Sequence, residues 1–182
     1  MADENSAQTN SAQGNAAQGN GADTQAAPRG LQIKRIFLKD LSFETPMGLE
    51  AFNRNWKPKI EQELNVQVID HSDNQYEVVL LVTATAYIEE KVAFLVEVKQ
   101  AGLFAVSGLE QAQLSQVINT ACPQVLFPYA REVIDSTLAR GAFPPLMLPP
   151  INFDAVFAHA VQQAKQQRDA QSSSEAGPPT DA

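Results

Sequence analysis

The sequence predicts an α+β domain, with an antiparallel sheet first and helices after it. Three observations carry this expectation. Hydrophobic residues in the first half recur every second position, which places alternate side chains on opposite faces of a strand. The second half switches to helical spacing, and strands and helices do not alternate. Short polar turns join most of the early runs, which favours an antiparallel meander over crossovers.

Taken in order, Leu31, Ile33, Phe37, Leu41 and Phe43 share one parity, and Asp40, Ser42 and Glu44 share the other. Residues 46–58 then form a longer crossing segment that holds the single tryptophan, Trp56. A second strand, 60–69, carries Leu64, Val66 and Val68 on one face. The turn His71-Ser72-Asp73-Asn74 leads to a third strand, 76–88, where Tyr76, Val78, Leu80 and Val82 alternate with Glu77, Val79, Leu81 and Thr83. A tight reversal at Glu89-Glu90-Lys91 starts the fourth strand, 92–100.

Ser107, with Glu110 three residues on, reads as a capping box. Leu114, Val117, Ile118 and Ala121 follow as an i, i+3, i+4, i+7 stripe. Pro123 suits the first turn of a second helix, whose inner face is Leu126, Tyr129, Ala130, Val133, Ile134 and Leu138. Pro128 is placed to bend it, and Arg140-Gly141 ends it as a cationic last turn and a C′ glycine. The stretch FPPLMLPP, 143–150, has four prolines and is expected to be extended. Asp154 is the expected cap of a short last helix, 155–166.

Composition sets the borders. Residues 1–28 are Ala, Gln, Asn, Gly and Ser in loose repetition, with no large apolar side chain after Met1 to offset the entropy of ordering. They read as a disordered tail, and so do 166–182, which leaves a folded domain over 29–165. Thirteen Lys and Arg against 21 Asp and Glu give a net charge of −8. That argues against a nucleic-acid binder and fits either a protein that must stay soluble or one that meets a basic partner. No basic start precedes an apolar run in the first 30 residues, and no stretch reaches membrane-spanning length, so a cytoplasmic protein without membrane insertion is expected.

Motifs for chemistry are sparse. There is no phosphate-cradling glycine loop, paired-histidine metal motif or nucleophile elbow. Cys122 precedes Pro123 at a helix start, where it is either a dipole-stabilised thiolate or a small buried hydrophobe. His71 and His159 have no nucleophile nearby in sequence. No enzyme, metal or cofactor is expected.

Two surfaces stand out instead. Between residues 40 and 97, eleven acids face only four bases, and Asp40 and Glu44 share one strand face. Leu95 and Glu97 share another, opposite Phe94, Val96 and Val98. This is either a docking face or an ordinary solvated face of an antiparallel sheet. Phe52, Trp56, Phe143, Leu146, Met147 and Leu148 either line an open apolar groove or close the core.

The phrases RIFLKDLSFETP (35–46), YEVVLLVTATA (76–86), AFLVEV (93–98) and CPQVLFPYAREVIDSTLARGAFPPLMLPPINFDAVF (122–157) together resemble the SecB family of protein-export chaperones. The resemblance spans residues 31–163. It implies a four-stranded antiparallel sheet with helices on one side, assembled as a homotetramer, a dimer of dimers. It also implies a holdase that binds unfolded precursors, keeps them translocation-competent and delivers them to the SecA motor without cofactor or ATP hydrolysis. Matching positions assign motor docking to Asp40, Glu44, Leu95 and Glu97, and tetramer assembly to Phe94, Val96 and Val98. A substrate groove beside the crossing segment makes Trp56, Phe143, Leu146 and Leu148 its candidates. The alternatives are a SecB-like chaperone dedicated to one partner, such as an antitoxin, and a small hydrolase using Cys122.

Overall fold

Alternating β-branched and aromatic residues build four long strands in the computed structural model, which describes residues 30–175. The expected tail over 1–28 lies outside the described residues. The strands are β1 (Gly30–Glu44), β2 (Lys59–His71), β3 (Gln75–Ile88) and β4 (Lys91–Ser107). They form one antiparallel sheet in the order β1-β4-β3-β2. The last three are joined by two successive hairpins, whereas β1 pairs with β4 at the far edge. The segment after β1 therefore crosses from one edge to the other, partly as a 3-10 helix, Gly48–Asn53.

Both predicted reversals are present, and both use left-handed backbone. Asp73 and Asn74 sit at φ 64° and 56°, a region these two residue types tolerate. Glu89 and Glu90 sit at 50° and 68°, where glutamate is disfavoured. Arg54 of the crossing segment donates to Glu89 at 2.8 Å and to Glu50 at 2.6 Å, tying that segment to the turn.

Three helices follow: α1 (Gln111–Asn119), α2 (Ala121–Arg140) and α3 (Phe153–Glu175). Helix α2 packs along β4 and β3, and α1 and α3 pack against α2. Its buried ridge is Cys122, Leu126, Ala130, Ile134 and Leu138, spaced four apart as one row on a helix surface. The ridge covers Val78, Leu80, Val82, Val96, Val98 and Phe104 of the inner sheet face, all within one core. Each large side chain so buried contributes roughly 1.5–3 kcal/mol. Among the described residues no helix packs on the other, outer face.

Several expectations are corrected. Bulges at Lys34 and Lys39 each shift the β1 register by one residue. Between them the parity is inverted, so Phe37 pairs with Ala101 on the outer face while Ile36 and Leu38 take the inner one. The fourth strand does not end at Gln100 but runs to Ser107. Its alternation continues through Gly102, where a Cβ would lie 2.9 Å from Leu126 Cδ2 and 2.6 Å from the Phe104 ring.

Ser107 is accordingly in the sheet, and the capping box lies three residues later. There Glu110 caps α1 and its N–H donates to Gln113 Oε1. Tyr129 is exposed, because it stands about 100° around α2 from the buried Ala130. Gly141 has φ −80°, so the left-handed residue after α2 is Ala142, at 61°. Asn152, not Asp154, caps α3 by accepting from Ala155 N–H at 3.1 Å. That helix continues to Glu175, since no glycine or proline interrupts 154–176.

Candidate functional site

The outer face brings the four acidic-patch candidates together. Asp40 and Glu44 both follow the second bulge, so they keep the common face that parity predicted. Across the pairing, Glu44 stands opposite Leu95, Ser42 opposite Glu97 and Asp40 opposite Lys99. Directly paired residues of this kind lie about 4.5–5.5 Å apart at their Cβ atoms. On the other side of β4, Thr85 pairs with Leu95 and Thr83 with Glu97. Asp40 and Glu44 are exposed; Leu95 and Glu97 are half-buried.

Lys99 is the electrostatic centre of this patch, and sequence reasoning did not single it out. Its ammonium donates to Asp40 Oδ2 at 2.9 Å and lies 3.5 Å from Glu97 Oε1. The hydrogen bond from Lys99, with its charge, holds the Asp40 carboxyl below the ordinary range. Asp40 in turn raises the Lys99 ammonium. The signal was available in the alternation of Leu95, Glu97 and Lys99 on one strand face.

Phe94, Val96 and Val98 lie on the inner face, with none of their surface exposed. They are core residues, packed within this chain's own hydrophobic cluster.

Phe94 belongs to an aromatic cluster at the end of the sheet near the crossing segment. Its ring centroid is 5.1 Å from Phe143, 6.3 Å from Trp56 and 6.4 Å from Phe43. Trp56 and Phe143 are 5.5 Å apart, and Phe52 and Phe143 5.1 Å. Two groove candidates, Trp56 and Phe143, are thus in one cluster. Phe143 and Leu148 are only 4% and 2% exposed, which makes them floor and core instead of contact surface. Trp56 and Leu146 are half-buried.

The open apolar surface beside them is Phe52, 49% exposed, and Leu49, 81% exposed. Leu49 was missed; its spacing of three from Phe52, one turn of a 3-10 helix, was the available signal. Leu146 and Leu148 lie on a strap along α2 that is not extended throughout as expected, because Met147 between them has left-handed backbone at φ 51°. Asp135 Oδ1 accepts from the N–H of Leu146 at 2.9 Å and of Met147 at 3.3 Å, and Arg131 donates to the Leu148 carbonyl at 3.3 Å.

Elsewhere the chemistry is quiet. Burial pushes the Cys122 thiol up to about 12, so it stays protonated at neutral pH and fits the small-hydrophobe reading. Among the described residues no group of three or more His, Cys, Asp or Glu is placed to hold a metal ion. No helix there is long and apolar enough to cross a membrane.

Known proteins match this arrangement. The family described as "Preprotein translocase subunit SecB" matches residues 24–164. "Protein-export protein SecB" of Cellvibrio japonicus is 59% identical over 169 residues, covering 92% of this chain and 93% of the relative. The protein of the same description from Saccharophagus degradans is 59% identical over 140 residues, 76% of this chain and 83% of the relative. A solved SecB-like chaperone of Mycobacterium tuberculosis, in complex with a peptide from an antitoxin, superposes with TM-score 0.55 at 20% identity. That superposition covers 67% of this chain and 88% of the other, and at such identity it speaks to the fold alone. With its sheet, its helix-covered face and its sequence all matching along most of their length, the chain belongs to the SecB family of protein-export chaperones.

Proposed function

We propose that this protein is a cytoplasmic holdase that captures unfolded precursors on an apolar surface and passes them to the SecA motor through its acidic outer face. The observation that carries the reading is the placement of Asp40, Glu44, Leu95 and Glu97 on adjacent strands of one helix-free sheet face. A face with carboxylates around a leucine suits a partner that is cationic and partly apolar. The other surface is the aromatic cluster, whose exposed members Phe52 and Leu49, with the half-buried Trp56, offer apolar area to any extended chain. Such burial is worth roughly 25 cal/mol per Å² before ordering costs, so binding depends on exposed apolar segments more than on their sequence. A folded precursor hides those segments and escapes capture. No bond is made or broken in this scheme, and neither an enzyme activity nor a cofactor is required.

A homotetramer, a dimer of dimers, completes the reading. Ile33, Leu38 and Leu41 pair on the inner face of β1 yet are 52%, 45% and 40% exposed, a patch suited to cover by another copy. Several grooves on one assembly would let a long precursor engage more than one at once, adding avidity.

Charge reversal tests the division of labour. Family resemblance implies that SecA docks through a basic C-terminal element; Asp40→Lys or Glu97→Lys is expected to weaken binding of that isolated element about ten-fold or more, and added salt to weaken the wild type. Holding of a denatured client, measured by suppression of its refolding, is expected to stay unchanged. Loss of both activities together would make the patch structural and overturn the assignment. Client holding without any SecA binding in the wild type would favour a chaperone dedicated to another partner.

A further inference from the structure

We infer that Lys99 is a built-in counter-ion of the acidic outer face, a place-holder that a cationic partner must displace and that therefore sets the strength and salt dependence of docking. The inference rests on the proposed role of that face. Lys99 stands in register with Asp40 and two residues from Glu97 on the same side of β4, and its Nζ bridges the two carboxylates at 2.9 and 3.5 Å. The other nearby base, Lys39, is engaged elsewhere, 2.6 Å from Glu77. Glu44, the third carboxylate of the patch, has no ion pair among the described residues.

Lys99 thus relieves repulsion between Asp40 and Glu97, which lie on neighbouring strands, while the face is unoccupied. A partner's lysine or arginine meets two carboxylates already shared with an internal ammonium. It either adds a like charge beside Lys99 or pushes the flexible side chain aside, and each route subtracts from affinity. The lysine also sits only half-buried at the surface, so it is free to swing away without disturbing the core.

The test measures binding of the isolated cationic SecA element by titration calorimetry across a salt series, with the full-length chaperone. Lys99→Gln is expected to bind about two- to five-fold tighter than wild type at low salt, with a steeper loss of affinity as salt rises. Lys99→Arg, which keeps the charge, is expected to match the wild type. Thr83→Lys, which adds a second cation opposite Glu97, is expected to weaken binding and provides an independent variant should Lys99→Gln fold poorly. Binding by Lys99→Gln that is equal to or weaker than wild type, while Asp40→Lys still weakens it, overturns the counter-ion role and leaves the docking role intact. No binding by the wild type or Lys99→Gln removes the docking reading itself, and this inference with it.

Discussion

Replacing Gly141 with alanine sets two effects of opposite sign against each other. Gly141 closes α2 at φ −80° and ψ 4°, a conformation open to alanine. Backbone propensity alone would therefore favour the substitution by up to about 1 kcal/mol. Packing opposes it. A Cβ at this position would lie 2.5 Å from Phe43 Cζ, 2.6 Å from Phe43 Cε1 and 3.3 Å from Phe143 Cδ2. Carbon atoms in contact settle at about 3.5–4.0 Å, so the Phe43 ring must retreat by roughly 1 Å. Its neighbours Phe94 and Phe143 hold it with centroids at 6.4 and 6.3 Å. Overpacking of this kind costs about 1–3 kcal/mol, so packing wins and the net loss is about 1 kcal/mol.

The assay is urea unfolding followed by fluorescence of the single tryptophan, Trp56, which sits in the affected cluster. Protein concentration is held constant, because the proposed assembly would make apparent stability depend on it. In a Phe43→Leu background the same change should become neutral or stabilising, since the obstructing ring is gone. Stabilisation by Gly141→Ala in the native background, or an equal cost in both backgrounds, would refute the packing argument.

Two further outcomes follow from local chemistry. Cys122, wholly buried with its thiol pushed up to about 12, should resist iodoacetamide at pH 8 in the native protein and react promptly once unfolded in urea; rapid native alkylation would contradict the burial. Glu77 is held below its ordinary value of 4.5 chiefly by the hydrogen bond from Lys39, with further help from His71. Because the folded value is depressed, the stabilisation is complete above the unfolded value and disappears as pH falls through the folded one. Lys39→Met should therefore cost up to about 1 kcal/mol at pH 7 and almost nothing well below pH 4.5. A stability difference independent of pH across that window would show that the ion pair is not its source.

Strand and helix classes were legible because hydrophobic period is a local property of the chain. So were the reversals at Asp73-Asn74 and Glu89-Glu90, although two glutamates carry a weaker turn signal than asparagine and glycine. The common faces of Asp40 with Glu44, and of Leu95 with Glu97, were legible for the same reason: no bulge separates the members of either pair. Phe37 was misread because bulges on both sides of it invert the parity and then restore it. Nothing within β1 marks Lys34 or Lys39 as bulged; the shift is defined only against β4.

By itself, then, the sequence determined an α+β chain whose strands precede its helices, the acidic character of one strand face, and the absence of recognised catalytic motifs. Tertiary structure decided which sheet face the helices cover, that β1 pairs with β4 across the molecule, and that Lys99 closes onto Asp40. It also decided that Phe143 and Leu148 are floor, while Phe52 and Leu49 are the open surface. The physical reason is sequence distance. Hydrogen bonding and periodicity act over a few residues, whereas the Phe43–Gly141 and Asp40–Lys99 contacts join segments that only a completed fold brings within a few ångströms.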